Sequence, residues 1–132
     1  MVFGTFDIVH PGHINMFKQA QDLGDDLIVV VARDENVKRL KGTAPNHGYK
    51  KRIENIEKLN IANEVIAGSN KDILKCIKNK KPDIIALGYD QKYFINELEA
   101  YINKEKPNIK IIRLKPYKEK KYKTSLIKNK NK

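Results

Sequence analysis

Apolar positions along this chain fall into two alternating rhythms. Short, nearly unbroken apolar runs occupy 1–3, 27–32, 64–67, 83–87 and 109–114, and many of their residues are β-branched. Such runs predict strands buried on both faces, as in a parallel sheet. Between them, apolar residues return every three or four positions, the period of a helix. Ile14, Phe17 and Gln21 form one line and Met16, Ala20 and Leu23 the next, with Gly24 placed to end that helix. Val37 and Leu40 follow Asp34, a residue suited to cap a short helix. Ile53, Ile56 and Leu59 mark a helix over 50–59. Ile73, Leu74 and Ile77 mark one over 72–80, broken by Pro82 and Asp83, and Phe94, Leu98, Tyr101 and Ile102 mark another. The stretch 41–48 has no apolar period and is rich in turn residues, so it reads as a loop. Strands alternating with helices predict an α/β fold: a single Rossmann-like domain with a five-stranded parallel sheet flanked by helices. That domain spans 1–115, and 116–132 is a lysine-rich C-terminal segment.

Composition refines this picture in three places. The 132 residues suffice for one core, and no apolar run approaches the roughly 20 residues of a membrane span. No signal-peptide pattern is seen, so a cytoplasmic location is expected. The one cysteine, Cys76, excludes an internal disulfide framework and reads as a core residue between Ile73 and Ile77. The formal net charge is +11, which raises nucleic acid as a partner. Its distribution argues against that partner. Residues 118–132 carry seven lysines and one acid, and 23 of the 27 basic residues are lysine rather than the arginine preferred for specific contacts. A solvated basic surface that also attracts small polyanions, such as a nucleoside triphosphate, is the simpler reading.

The candidate chemistry sits in Gly4-Thr5-Phe6-Asp7-Ile8-Val9-His10-Pro11-Gly12-His13, between the first strand and the first helix. Pro11 suits a first helical turn. Gly12, without a Cβ, admits a ligand close to the backbone. His10 and His13, three apart, can share one side of the helix start. Two imidazoles beside exposed N–H groups at the positive end of a helix make an anion site, with phosphate the usual occupant. A helix-cap role and a zinc site are the alternatives, although no third metal ligand is evident. In open parallel sheets ligands bind at strand carboxyl ends where strand order reverses. Those ends carry Thr5, Asp7, Arg33, Asp34, Gly68, Ser69, Gly88, Tyr89 and Asp90. The spaced glycines of a dinucleotide fingerprint do not follow the first strand, which disfavours a redox enzyme.

Gly4-Thr5-Phe6-Asp7 followed by His10-Pro11-Gly12-His13 resembles the cytidylyltransferase-like nucleotidyltransferases. The resemblance implies transfer of a nucleoside monophosphate from a nucleoside triphosphate to a phosphorylated acceptor, with release of pyrophosphate. It assigns catalysis to His10 and His13, and to Lys41 of the pair Lys41-Gly42, with Lys38 as the alternative lysine. It assigns nucleotide binding to Gly4, Thr5, Phe6 and Gly12, to Gly88 and Asp90 after the fourth strand, and to Thr124 and Ser125 of a C-terminal hydroxyl motif. Arg52 is assigned to phosphate or acceptor. Asp7 is expected to hold its loop or the metal environment. Before Thr124 the sequence departs from the glycerol-3-phosphate cytidylyltransferases: Pro116-Tyr117-Lys118-Glu119 replaces their arginine–threonine–glutamate–glycine.

Val31-Ala32-Arg33-Asp34-Glu35 and Lys81-Pro82-Asp83-Ile84-Ile85-Ala86-Leu87-Gly88-Tyr89-Asp90-Gln91 are more similar to the archaeal-type FAD synthases. That likeness implies AMP transfer from ATP to FMN. CTP with glycerol 3-phosphate or a similar phosphorylated alcohol is the alternative pair, and a nucleotide- or RNA-binding module without turnover is a third reading. Mg2+ or another divalent cation is expected, held mainly by triphosphate and water, with no dedicated protein metal site. Relatives in this family are often dimers, which leaves a homodimer open.

Overall fold

The computed structural model describes residues 1–69, 72, 74–88, 91, 95–105 and 107–116. Five strands, β1 (Val2–Gly4), β2 (Ile28–Val31), β3 (Glu64–Ala67), β4 (Ile84–Leu87) and β5 (Lys110–Arg113), form one parallel sheet in the order β3-β2-β1-β4-β5. The chain therefore winds outward from β1 in one direction, then returns and winds outward in the other. Five helices connect the strands: α1 (Pro11–Gln21), α2 (Asp34–Lys41), α3 (Tyr49–Glu57), α4 (Lys75–Lys80) and α5 (Ile95–Glu105). None of the described helices is long and apolar enough to cross a membrane.

The strands alternate strictly between two cores, because successive side chains leave a strand on opposite faces. Val2, Val29, Val31 and Ala86 pack with Phe17 and Ala20 of α1 and Ile56 of α3. Met1, Phe3, Val30, Ile85 and Leu87 pack with Cys76 and Ile77 of α4 and Leu98 and Ile102 of α5. Cys76 is the buried core residue that its spacing predicts.

Two element boundaries differ from the expectation, each through a side chain. Asp34 does not cap α2. Arg33 occupies the cap position without a side-chain bond, and the Asp34 carboxylate is drawn to Arg52 instead. The fourth helix starts at Lys75 rather than at residue 72, because the Asp72 carboxylate accepts the Leu74 N–H and holds a turn there. The first helix ends at Gln21, with Gly24 in the turn beyond it.

The loops at the carboxyl end of the sheet are fastened by two side chains. Both carboxylate oxygens of Asp7 accept backbone N–H groups of the 43–48 loop, from Asn46 at 2.7 Å and His47 at 2.9 Å. Arg52, in the first turn of α3, is 0% exposed. Its Nε donates to the His47 carbonyl at 2.9 Å and its Nη1 to the Thr5 carbonyl at 2.8 Å. Its Nη2 donates to Asp34 Oδ1 at 2.6 Å. One guanidinium thus ties the β1–α1 loop, the α2–α3 loop and the start of α2 together, using the fixed fork that lysine lacks. Replacing Arg52 with Lys should lower stability by about 2–4 kcal/mol in urea unfolding, because two buried carbonyls lose their donors. Lys51→Ala, at an exposed ion pair with Glu54, should change it by less than about 0.5 kcal/mol. Equal unfolding midpoints for Arg52→Lys and wild type would show that this strut carries no stability.

Candidate active site

The site begins with a steric bargain at the end of β1. Phe6 adopts a left-handed backbone conformation, φ 53°, which is uncommon for a bulky residue. Its ring folds back over Gly4, where a Cβ would stand 2.5 Å from the ring. Only glycine fits beneath it. The same buried ring meets His13 edge-on, with centroids 5.3 Å apart, and tilts against Phe17 at 5.1 Å. Phe6 therefore supports the histidine from inside, rather than presenting its ring to a ligand. The Thr5 carbonyl beside it is held by Arg52.

His10 and His13 form a reciprocal cap on α1. His10 Nδ1 accepts the Gly12 N–H at 3.1 Å, and His13 Nδ1 accepts the His10 N–H at 3.4 Å. The cap role and the shared face, alternatives in the sequence, are both realised. With Nδ1 accepting, each neutral ring carries its proton on Nε2. The rings stack, centroids 3.9 Å apart and 24° between planes.

The exposed helical N–H groups expected here are not open. Pro11 has none, Gly12 donates to the His10 ring, and His13 and Ile14 donate to the His10 carbonyl at 2.9 and 3.2 Å. What remains at this helix start is its dipole and the two imidazole rings. Burial lowers the His10 pKa. His13 is pushed down to about 3, first by burial and then by His10 and Lys41, against the Ile8 carbonyl, which raises it. Both rings are therefore neutral at pH 7.

Lys41 is the last residue of α2, exposed, with its charge within reach of His13. Lys38 lies one turn earlier, exposed, and its carbonyl accepts the N–H of Gly42, which closes α2 at φ 82°. Arg52 is not placed to touch a phosphate or an acceptor. It is fully buried with its three nitrogens bonded to protein, so it acts on the site by holding Thr5 and the 43–48 loop. Asp7 likewise fastens the 43–48 loop. Asp90, Thr124 and Ser125 lie outside the described residues.

Gly88 follows β4, buried, and is held by Gln91, the last residue of the FAD synthase-like stretch, and by Arg113, to which the sequence had assigned no role. Its N–H donates to Gln91 Oε1 at 2.7 Å, and Gln91 Nε2 donates to the Phe3 carbonyl at 2.7 Å. Arg113 Nη1 donates to the Gly88 carbonyl at 2.8 Å and the Gln91 carbonyl at 2.6 Å. Gln91, four residues beyond β4, ends the stretch that resembles the FAD synthases, but nothing in the sequence shows what its side chain binds. On the other side of β1, Arg33 Nε donates to the Gly68 carbonyl at 2.7 Å, and its guanidinium lies over the Tyr49 ring.

The depressed His13 pKa has a consequence for stability. Below its ordinary 6.5 the unfolded chain takes up a proton that the folded ring refuses, down to about pH 3. Stability should therefore fall as pH drops from 7 to 5. The fall should be shallower in His13→Asn, which keeps an acceptor for the cap and does not titrate. Identical pH slopes for the two proteins in urea unfolding would contradict a neutral, buried His13.

Comparison with known proteins places these features in a family. The cytidylyltransferase-like family model matches residues 1–130. The FAD synthase of Thermoplasma volcanium is 43% identical over 117 residues, covering 89% of this chain and 82% of that protein. The FAD synthase of Aciduliprofundum boonei is 42% identical, with 89% and 78% covered, and that of Pyrococcus horikoshii is 42% identical, with 89% and 79% covered. A crystal structure described as the lipopolysaccharide core biosynthesis protein from Thermoplasma volcanium GSS1 superimposes with a TM-score of 0.80 at 43% identity, over 89% of this chain and 95% of that one. A histidine-capped helix at the turning point of a 3-2-1-4-5 sheet, matched from end to end by this family, shows that the chain belongs to the cytidylyltransferase-like family.

Proposed function

We propose that this chain transfers AMP from ATP to FMN, giving FAD and pyrophosphate. The stacked, mutually capped His10 and His13 at the start of α1 carry the nucleotidyl-transfer reading. The substrate pair is supported by the relatives named FAD synthase, at 41–43% identity. In this reaction the terminal phosphate oxygen of FMN attacks the α-phosphorus of ATP. The new P–O bond forms as the bond from the α-phosphorus to the bridging oxygen breaks, and the electron pair leaves with pyrophosphate. The attacking oxygen is anionic near neutral pH, since the second phosphate pKa is about 6, so no general base is required. Alignment and stabilisation of charge on the phosphoryl oxygens are the remaining tasks.

His10 acts there as a neutral donor through Nε2–H, with the neutral His13 ring stacked beside it and its own N–H directed at the Ile8 carbonyl. Neutrality suits the role: the rings enter a shared site without repelling each other, and an approaching triphosphate raises their affinity for protons. Lys41 adds a full charge from α2. Gly4 lets Phe6 turn back to brace His13, and the backbone of Gly4, Thr5, Gly12 and Gly88 lines the approach. Asp90, Thr124 and Ser125 retain their assignments from the family resemblance. Mg2+ would arrive on the triphosphate and neutralise part of its charge. Both Asp7 carboxylate oxygens are engaged by the Asn46 and His47 N–H groups.

Pyrophosphate release should be measured with Mg2+, crossing ATP and CTP with FMN, glycerol 3-phosphate and phosphocholine. Release with ATP and FMN alone is expected, and release with CTP alone would move the protein to cytidylyl transfer. His10→Ala and His13→Ala should each lower turnover at least about 100-fold, the scale of losing one preorganised donor. Turnover like wild type in either variant removes that residue from the mechanism.

A further inference from the structure

The two sides of β1 end differently. Toward β2 the ladder continues directly past the strand end, with the Ala32 N–H donating to the Gly4 carbonyl at 2.9 Å. Toward β4 it stops early. The Ala86 N–H donates to the Met1 carbonyl at 2.9 Å, and Val2 faces Ala86 as the one registered pair. In a parallel ladder bonds recur every two residues, so the next would run from the Gly88 N–H to the Phe3 carbonyl. Both groups are present, and neither bonds the other. The Gln91 side-chain amide stands between them, accepting from Gly88 and donating to Phe3. Two hydrogen bonds in series and an amide replace one bond. The carboxyl ends of β1 and β4 are spread apart with no buried backbone group left unpaired.

Gln91 is itself fixed. Its N–H donates to the Gly88 carbonyl at 3.1 Å, closing a turn, and Arg113 at the end of β5 binds both the Gly88 and Gln91 carbonyls. The Gln91 side chain lies directly over Gly88, where a Cβ would touch its Cγ at 3.4 Å. The opening therefore lies at the strand-order reversal, where open sheets bind ligands, and beside the helix start that receives phosphates. The β2 side is closed by its direct ladder bond, and Arg33 and Asn36 tie the end of β2 onward to the Gly68 and Ser69 carbonyls after β3.

We infer that Gln91 and Arg113 are positioning residues that wedge β1 and β4 apart to seat the nucleoside half of ATP, while the helix start holds its phosphates. The inference rests on the ATP-dependent reading above. Neither residue needs to contact the reacting atoms. Gln91 sets the width of the crevice, and Arg113 keeps Gln91 in register.

Calorimetric titration with Mg2+ separates the two halves of the nucleotide, using ATP and inorganic tripolyphosphate as probes. Gln91→Met, which loses both bonds, should bind ATP at least about 10-fold more weakly, with tripolyphosphate affinity within about 2-fold of wild type. Gln91→Glu keeps the acceptor for Gly88 but cannot donate as a carboxylate to Phe3, and should shift in the same direction. It decides the matter if the methionine variant fails to fold. Arg113→Lys should weaken ATP selectively as well. Parallel loss of both probes would reduce the wedge to a purely structural role, and unchanged ATP affinity in Gln91→Glu would overturn the inference. Wild-type pyrophosphate release with FMN is read in the same preparations. Selective, Gln91-dependent ATP binding without release from FMN would sink the FAD synthase reading and leave the wedge standing.

Discussion

A guanidinium in the interior of so small a domain is costly unless its polarised N–H groups all find acceptors. Each of the three Arg52 nitrogens finds an oxygen, and the three come from separate segments: the Thr5 carbonyl, the His47 carbonyl and the Asp34 carboxylate. The consequence runs beyond Arg52 itself. Because its fork is rigid, satisfying it fixes where the β1–α1 loop, the α2–α3 loop and α2 stand relative to one another. The pair with Asp34 is half-open, since the Asp34 side chain keeps 45% of its surface, so water shares the charge. Asp7 continues the same fastening on the loop that follows Lys41. The active loop is held from beneath by buried charge and leaves its upper surface to the histidines.

The histidines show how a helix start can be prepared for an anion without leaving N–H groups bare. Backbone donors without partners would be a standing penalty in a half-buried site. The His10–His13 cap removes that penalty. Stacking the rings 3.9 Å apart is tolerable only because both are neutral, and burial against Phe6 secures that neutrality. The strained φ of Phe6, the bare Cα of Gly4 and the depressed His13 pKa are one device seen from three positions.

At the opposite side of β1, a side-chain amide does what a strand would otherwise do. An amide matches a peptide group in donor and acceptor, so Gln91 can interrupt the β1–β4 ladder without orphaning Gly88 or Phe3. The sheet keeps its hydrogen-bond balance and still parts where strand order reverses.

The sequence alone determined the layout. Five apolar runs and the intervening helical periods specify a parallel α/β sheet, because strands buried on both faces must be apolar throughout and each helix must bury one stripe. It also determined the chemistry of the β1–α1 loop, since Gly4, His10, Pro11, Gly12 and His13 fall within ten residues and local backbone rules govern them. What it could not determine were partnerships between distant residues. Asp34 was expected to cap its own helix, but Arg52, eighteen positions on, binds its carboxylate more strongly than a local N–H would. Arg52 was expected at a phosphate and lies buried, because nothing in a helical arginine's neighbours reveals which carbonyls fold over it. Gln91 and Arg113 meet only once β4 and β5 lie side by side. Local preference is written in adjacent residues, whereas hydrogen-bond satisfaction is settled by whichever groups the finished topology brings within 3 Å, and that only the tertiary structure decided.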